Sequence, residues 1–257
     1  MSHPLRSLLV LCLALAGARG HAVELAYEPV ALGWSSDEIE RATSGTYAAI
    51  VQRATGDAQH GCRRHCERLE RIFARLSVVA RDQTARSRRL PWSLTVVRLS
   101  DVHALALPAG QVVVSESFID RRALSDEALA FVLAHEMAHC ILEHERQALT
   151  FARLLLPRDV PRTVPDMYTE IDFNFALLQA MEPVLQQGEY EADELGLLLA
   201  SVAGFAPERQ LAFIEAEVAD GAPPRALVST HPTPQARLQR LRAALPLAQR
   251  LLAIGAR

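Results

Sequence analysis

The chain contains no lysine. All 27 of its basic residues are arginine, and against 30 acidic residues the formal net charge is −3. The uniform arginine is read as coding bias. No basic stripe gathers along any segment, which argues against nucleic acid as a partner. Past the N-terminus there is no apolar run long enough to span a bilayer. Residues 151–156 are too short, and 173–187 are interrupted by Asn174, Gln179, Glu182 and Pro183. No internal repeat is visible. Cysteine is thin, with only four residues.

What is present begins with MSHPLRSLLVLCLALAGARGHA. Arg6 is a short basic region, residues 8–16 are apolar, and small residues follow at Ala16-Gly17-Ala18 or Ala18-Arg19-Gly20. This reads as a secretory signal peptide over 1–20, and implies export to the periplasm. The alternative is an uncleaved membrane anchor. Val10-Leu11 before Cys12 is not a lipoprotein pattern. Residues 21–257 then suit a single domain with a real core. Of the remaining cysteines, Cys140 reads as a small core residue. Cys62 and Cys66 could hold a second metal or a disulfide. Expected on one helix, where a four-residue spacing disfavours a bridge, they are read as ordinary helix residues.

Residues 128–142 read ALAFVLAHEMAHCIL, with His135, Glu136 and His139 as the only polar groups. Such a segment reads as a buried helix. Ser125 supplies its N-cap, and Asp126 and Glu127 its acidic first turn. Burying three ionisable groups is costly unless something compensates them. His135 and His139 are four apart, so both imidazoles leave one helix face and can bind one metal ion. Glu136 follows the first of them, in reach of a water on that metal. This is the HExxH pattern of zinc peptidases. The bland alternative, two hydrogen-bonded core histidines with an incidental Glu, leaves the trio unexplained.

A catalytic zinc site wants three protein ligands and an open position. The third is sought in GEYEADELG, residues 188–196, which opens a second helical stretch running to about Val202 with Gly204 just beyond its end. Glu189 and Asp193 share a face, and Glu191 is rotated away from both. Glu189 is therefore read as the ligand, and Asp193 as the carboxylate that hydrogen-bonds the far nitrogen of a ligand histidine.

HExxH followed on a later helix by ExxAD resembles the gluzincin peptidases. More narrowly, it resembles the family of the CaaX prenyl protease, the HtpX heat-shock protease, the mitochondrial inner-membrane stress protease and the periplasmic β-barrel assembly-enhancing protease. His144 extends the motif to HEMAHCILEH. The segment from His103 to Gly110 resembles the family's NAFALPGG, departing at His103 and Ala109. Ser229-Thr230-His231-Pro232 with Arg237 resembles its THPxxxxR. Together the matches cover roughly residues 66–242. No helical-repeat array follows His231, unlike the longer assembly-enhancing members.

The resemblance implies Zn²⁺ as cofactor and polypeptides as substrates, with outer-membrane or other envelope proteins as partners. It places His231 near the metal, as an oxyanion donor or as a fourth ligand at rest. It also implies an edge strand over residues 106–114 that binds extended peptide, so Ala106, Leu107, Pro108, Ala109, Gly110 and Val112 are expected to bind substrate. A core strand with no free edge is the alternative.

Patterning adds helices over 37–85, broken near 55–57, and strands at 93–99 and 111–115. A broken helical hairpin or flap is expected over 146–187. Further helices start at Pro207 and Pro234, the last stopping near Ala244, before Pro246. The fold class expected is α+β: a mostly helical zinc-metallopeptidase domain with a small sheet beside the HExxH helix. Two functions stay open. One is an endopeptidase acting on unfolded or mis-assembled envelope proteins, with Glu136 as general base. The other is a zinc-bound chaperone that holds extended chains with little cleavage. Glu136 favours the first, because a pure binder does not need it. An exopeptidase would require an amine-binding acid that the sequence does not identify.

Overall fold

The computed structural model describes residues 33–221 and 230–255. The expected signal peptide and its cleavage sites, and Ser229, lie outside the described residues. The chain enters through α1 (Ser36–Gly56), α2 (Cys66–Arg81) and α3 (Ala85–Arg89). Strands β1 (Ser93–Val97), β2 (Ala104–Ala106) and β3 (Gln111–Ser115) follow. Then come α4 (Glu116–Arg121), α5 (Asp126–Leu142), α6 (His144–Leu155), α7 (Val164–Phe173) and α8 (Phe175–Val202). The described chain ends with α9 (Pro207–Gln210), α10 (Ala212–Asp220) and α11 (Pro234–Gly255). This is the expected α+β class, with helices dominating and one small sheet.

The sheet order is β1-β3-β2, with β1 parallel and β2 antiparallel to β3. The run Val112-Val113-Val114 is apolar on both faces because β3 is the central strand. Val112 and Val114 enter the main core beside α5, and Val113 packs on the other side with Ala54 and Val97. This corrects the expected edge strand. Of the stretch expected at the edge, only Ala106 belongs to an edge strand, β2, and Val112 has no exposure at all. The signal for the central strand was its unbroken valine run, which an edge strand facing solvent would interrupt.

Helix α5 runs through the core, capped by Ser125, whose hydroxyl accepts from the Ala128 N–H at 3.1 Å. It packs on α2 through Leu69, Ile72, Phe73, Leu76 and Ala80, spaced as one helical stripe, and on α8 through Ala192, Leu195, Leu199 and Ala200. Leu129 and Leu133 are fully buried. Each such side chain contributes about 1.5–3 kcal/mol, which offsets the cost of carrying ionisable groups in the same helix.

Both long helices include a proline, and α11 continues past Pro246, where a stop near Ala244 was expected. Helix α8 begins at Phe175, capped by Asn174, and includes Pro183 on its exposed side. Leu177, Met181 and Leu185 continue the buried stripe past it. In the same way α11 passes Pro246 to Gly255, because Ala248 lies in the same core as Leu241. Tertiary packing outweighs the missing N–H in both cases. Of the two expectations for 146–187, the structure gives the broken helical hairpin, α6 and α7, as a packed group. Leu149, Ala152, Val164 and Met167 of α6 and α7 share a core with Ile39 and with Leu177 and Met181 of α8.

Candidate active site

The site is built where α5 and α8 cross. His135, His139 and Glu189 converge there. The His135 and His139 Nε2 atoms are 3.1 Å apart, and Glu189 oxygens lie 3.6 and 3.5 Å from them. Two imidazole nitrogens facing each other with a carboxylate beside them form a donor set that one cation satisfies. Glu189 Oε2 carries the test further. It is buried and has no hydrogen-bond partner among the described residues. Leaving a buried carboxylate oxygen unpaired is costly, and a divalent metal at the convergence point removes that cost. Two histidines and one carboxylate, with one side left open, are the ligand set of catalytic zinc sites.

Cys62, Cys66 and Glu116 form a second cluster with metal-like spacing, and here the same test fails. The two cysteines are joined as a disulfide. Glu116 Oε1 accepts the backbone N–H groups of Arg63, Arg64 and His65 at 3.0, 2.7 and 3.0 Å. This carboxylate is already paired. The bridge also corrects the reading of Cys62 and Cys66 as unbridged residues of one helix. Helix α1 ends at Gly56 and α2 starts only at Cys66, so Cys62 sits in a loop, where the bridge can close. Cys140 behaves as expected of a core residue. Burial pushes its thiol up to about 12, and it donates to the Leu107 carbonyl.

Around the candidate ligands, His135 Nδ1 lies 3.0 Å from Asp193 Oδ1. Asp193 has no exposed surface. Arg237 of α11 grips it with two bonds, at 2.8 and 2.6 Å. Burial opposes charging of His135, but the hydrogen bond it donates to Asp193 and that residue's charge outweigh it and raise its pKa. For His139, burial and the neighbouring His135, His144, His231 and Arg237 all act in one direction. They hold it well below the ordinary imidazole value, neutral as a ligand must be.

Glu136 leaves α5 beside this face and reaches the sheet edge, where its Oε2 accepts the Ala106 N–H at 3.0 Å. Burial pushes its carboxyl up and Glu189 adds to the effect, against the pull of His135. A raised carboxyl next to a metal face suits a group that both takes and returns a proton. His231 approaches Glu189 from the exposed side of the site. Its Nε2 is 3.6 Å from Glu189 Oε1, and its side chain is 65 % exposed.

A cleft of about 1020 Å³ passes over these groups. Its wall includes Ala104, Leu105, Ala106 and Pro108, together with Phe151 and Leu154 of α6. Of the residues expected to bind substrate, Ala106 and Pro108 line it. Leu107, Ala109, Gly110 and Val112 do not. The Leu107 side chain is buried, and Gly110 packs against Leu90 and Trp92 at the turn. Three residues given no role by sequence reasoning now have positions in the site. Arg237 holds Asp193, whereas His144 and Glu191 stand in line behind His139. Their signals were Arg237 in the C-terminal motif and the extra histidine of HEMAHCILEH.

The chain is similar to known metalloendopeptidases. The mitochondrial metalloendopeptidase OMA1 of Schizosaccharomyces pombe is 32 % identical over 167 residues, covering 62 % of this chain and 48 % of its own length. The Saccharomyces cerevisiae protein of the same name is 30 % identical over 174 residues, with 63 % and 49 % covered. The β-barrel assembly-enhancing protease of Escherichia coli K12 is 29 % identical over 174 residues, with 60 % and 34 % covered. The matches thus span about half the length of these relatives or less. Residues 64–245 match a family description as well, a stretch holding His135, Glu136, His139, Glu189, Asp193, His231 and Arg237. The chain belongs to peptidase family M48.

Proposed function

We propose that this protein is a zinc-dependent endopeptidase that binds unfolded or mis-assembled polypeptides in extended form and cleaves them internally. The observation that carries the proposal is the convergence of His135, His139 and Glu189 around an unpartnered Glu189 oxygen, with Glu136 beside it. His135, His139 and Glu189 would hold the ion. When bound, zinc supplies Lewis-acid polarisation of the scissile carbonyl and a water acidic enough to lose its proton near neutral pH.

The chain's own groups do the rest. Glu136 accepts the water proton as the carbonyl carbon is attacked, then delivers it to the departing amine nitrogen. Asp193, gripped by Arg237, fixes the tautomer of His135 so that its Nε2 lone pair would be free to hold the ion. His231, 3.6 Å from Glu189, would donate to the negative charge developing on the scissile oxygen, or serve as a fourth ligand at rest.

The free edge of β2 orients the substrate. The Leu107 N–H and the His103 carbonyl bond inward to β3. By the alternation of an antiparallel ladder, the backbone groups of Ala104 and the Ala106 carbonyl point outward, into the cleft, while the Ala106 N–H is held by Glu136. Main-chain pairing there accepts any sequence, which suits a protease of unfolded chains.

The proposed location is the periplasm, with envelope proteins as substrates. The disulfide between Cys62 and Cys66 supports an oxidising compartment, and the similarity to a β-barrel assembly-enhancing protease supports the substrate class. Incubating the purified protein with unfolded casein, with and without a chelator, tests the activity. Internal fragments that vanish on chelation are expected. Tight casein binding without fragments would assign a holding role instead.

A further inference from the structure

His139 and His144 are five residues apart, about 140° around an uninterrupted helix, and so would face different ways. They meet because the helix stops between them. Helix α5 ends at Leu142, Glu143 takes a left-handed conformation with φ 56°, and α6 begins at His144. Glu143 is not glycine, and its carboxylate keeps the reversal in place. It accepts from Ser36 and Arg146 and pairs with Arg86. The reversal swings the His144 ring against His139, with Nδ1 to Nδ1 at 2.9 Å and the ring planes at 79°. Gly188 of α8 leaves space for the ring, since a Cβ there would touch the His144 Cγ at 3.4 Å. On its far side, His144 Nε2 lies 3.3 Å from Glu191 Oε2, and Gln187 donates to the other oxygen of Glu191 at 2.7 Å.

The protons in this line run one way. A carboxylate cannot donate, so His144 donates its Nε2–H to Glu191. Its Nδ1 is then an acceptor and takes the Nδ1–H of His139. That tautomer of His139 presents the Nε2 lone pair to Glu189 and His135.

We propose that His144, oriented by Glu191, is a positioning residue that fixes the tautomer and ring orientation of His139 for metal binding. The two metal-facing imidazoles are thereby held by separate devices. His135 is held by Asp193 and Arg237, from α8 and α11, and His139 by His144 and Glu191, from α6 and α8. The inference rests on the reading of His139 as a zinc ligand.

Zinc affinity, measured by competition with a chromophoric chelator, tests it in the full chain. His144→Phe keeps a ring but removes the acceptor, and should weaken zinc binding by roughly 10–100-fold. In His144→Asn the amide oxygen stands where Nδ1 stood, and most of the affinity should return. Wild-type affinity in His144→Phe, or no recovery in a folded His144→Asn, overturns the relay. Should His144→Phe not fold, the Glu191 pair decides. A loss in Glu191→Leu that Glu191→Gln restores supports the relay, and unchanged affinity in Glu191→Leu overturns it. A wild-type protein that binds no zinc would instead overturn the proposed function itself.

Discussion

Gly196 lies directly against the backbone of His135. A Cβ on Gly196 would come within 2.8 Å of the His135 nitrogen and 2.9 Å of its Cα, closer than side chains approach backbone. The contact lets α8 cross α5 closely, and places Glu189, about two turns earlier on the same face, opposite the two histidines. In an exposed helix, alanine would be favoured over glycine by about 1 kcal/mol. Here overpacking against rigid backbone should cost about 1–3 kcal/mol and push Glu189 out of line. Gly196→Ala is therefore expected to lower both the melting temperature and the zinc content. A rise in melting temperature with full zinc occupancy would show that the crossing relaxes freely.

Glu189, Glu191 and Asp193 should separate by metal content. Glu189→Ala leaves two histidines and should purify without zinc. Glu191→Ala keeps all three ligands and should retain it, with reduced affinity. Asp193→Ala should bind roughly 10–100-fold more weakly. It should also lose stability, because it strips the buried Arg237 of its main partner, a change that typically costs about 3–5 kcal/mol. Metal analysis and thermal melts of the three variants check the order. An empty Glu191→Ala variant would move the third ligand to that position.

His231→Ala should retain zinc, and the direction of its activity change reports the residue's role. A donor to the scissile oxygen would be missed by roughly 10²–10³-fold in turnover. A residue that caps the metal at rest would, on removal, raise basal proteolysis. Turnover equal to wild type would give His231 no part in either.

How much of this was legible in the chain follows from which signals are local. The HExxH helix and the choice of Glu189 over Glu191 rest on helical periodicity, which needs no tertiary information. The edge strand was misjudged because residues 106–114 hold part of an edge strand, a turn and most of a central strand, and only pairing tells them apart. Pro246 read as a stop, since the buried stripe that carries α11 past it is settled by packing. The Cys62–Cys66 bridge was hidden by a helical reading of a loop. His144 could not be given a role, because the left-handed turn that aims it falls on Glu143, a residue with no turn signature.

Glu116 makes a prediction about acid stability. Burial works against its charge, but the backbone N–H groups of Arg64, His65 and Arg63 prevail and lower its pKa. A carboxylate with a depressed folded pKa contributes stability above its unfolded value of about 4.3. That contribution is lost as pH falls through the folded value. Denaturant unfolding from about pH 5 downward should therefore show a steeper loss in the wild type than in Glu116→Gln. Parallel profiles would mean that the Arg63–His65 loop does not discriminate the charged form.

The central claim is that one zinc ion and Glu136 together make this chain a peptidase. Titrating zinc into the metal-free protein while following cleavage of unfolded casein tests it most directly. Activity should be absent at the start and rise to a plateau at one zinc per chain. Glu136→Gln should bind the same single zinc yet cleave about 10²–10⁴-fold more slowly. Cleavage by the metal-free protein, or a Glu136→Gln variant as active as wild type, would contradict the account.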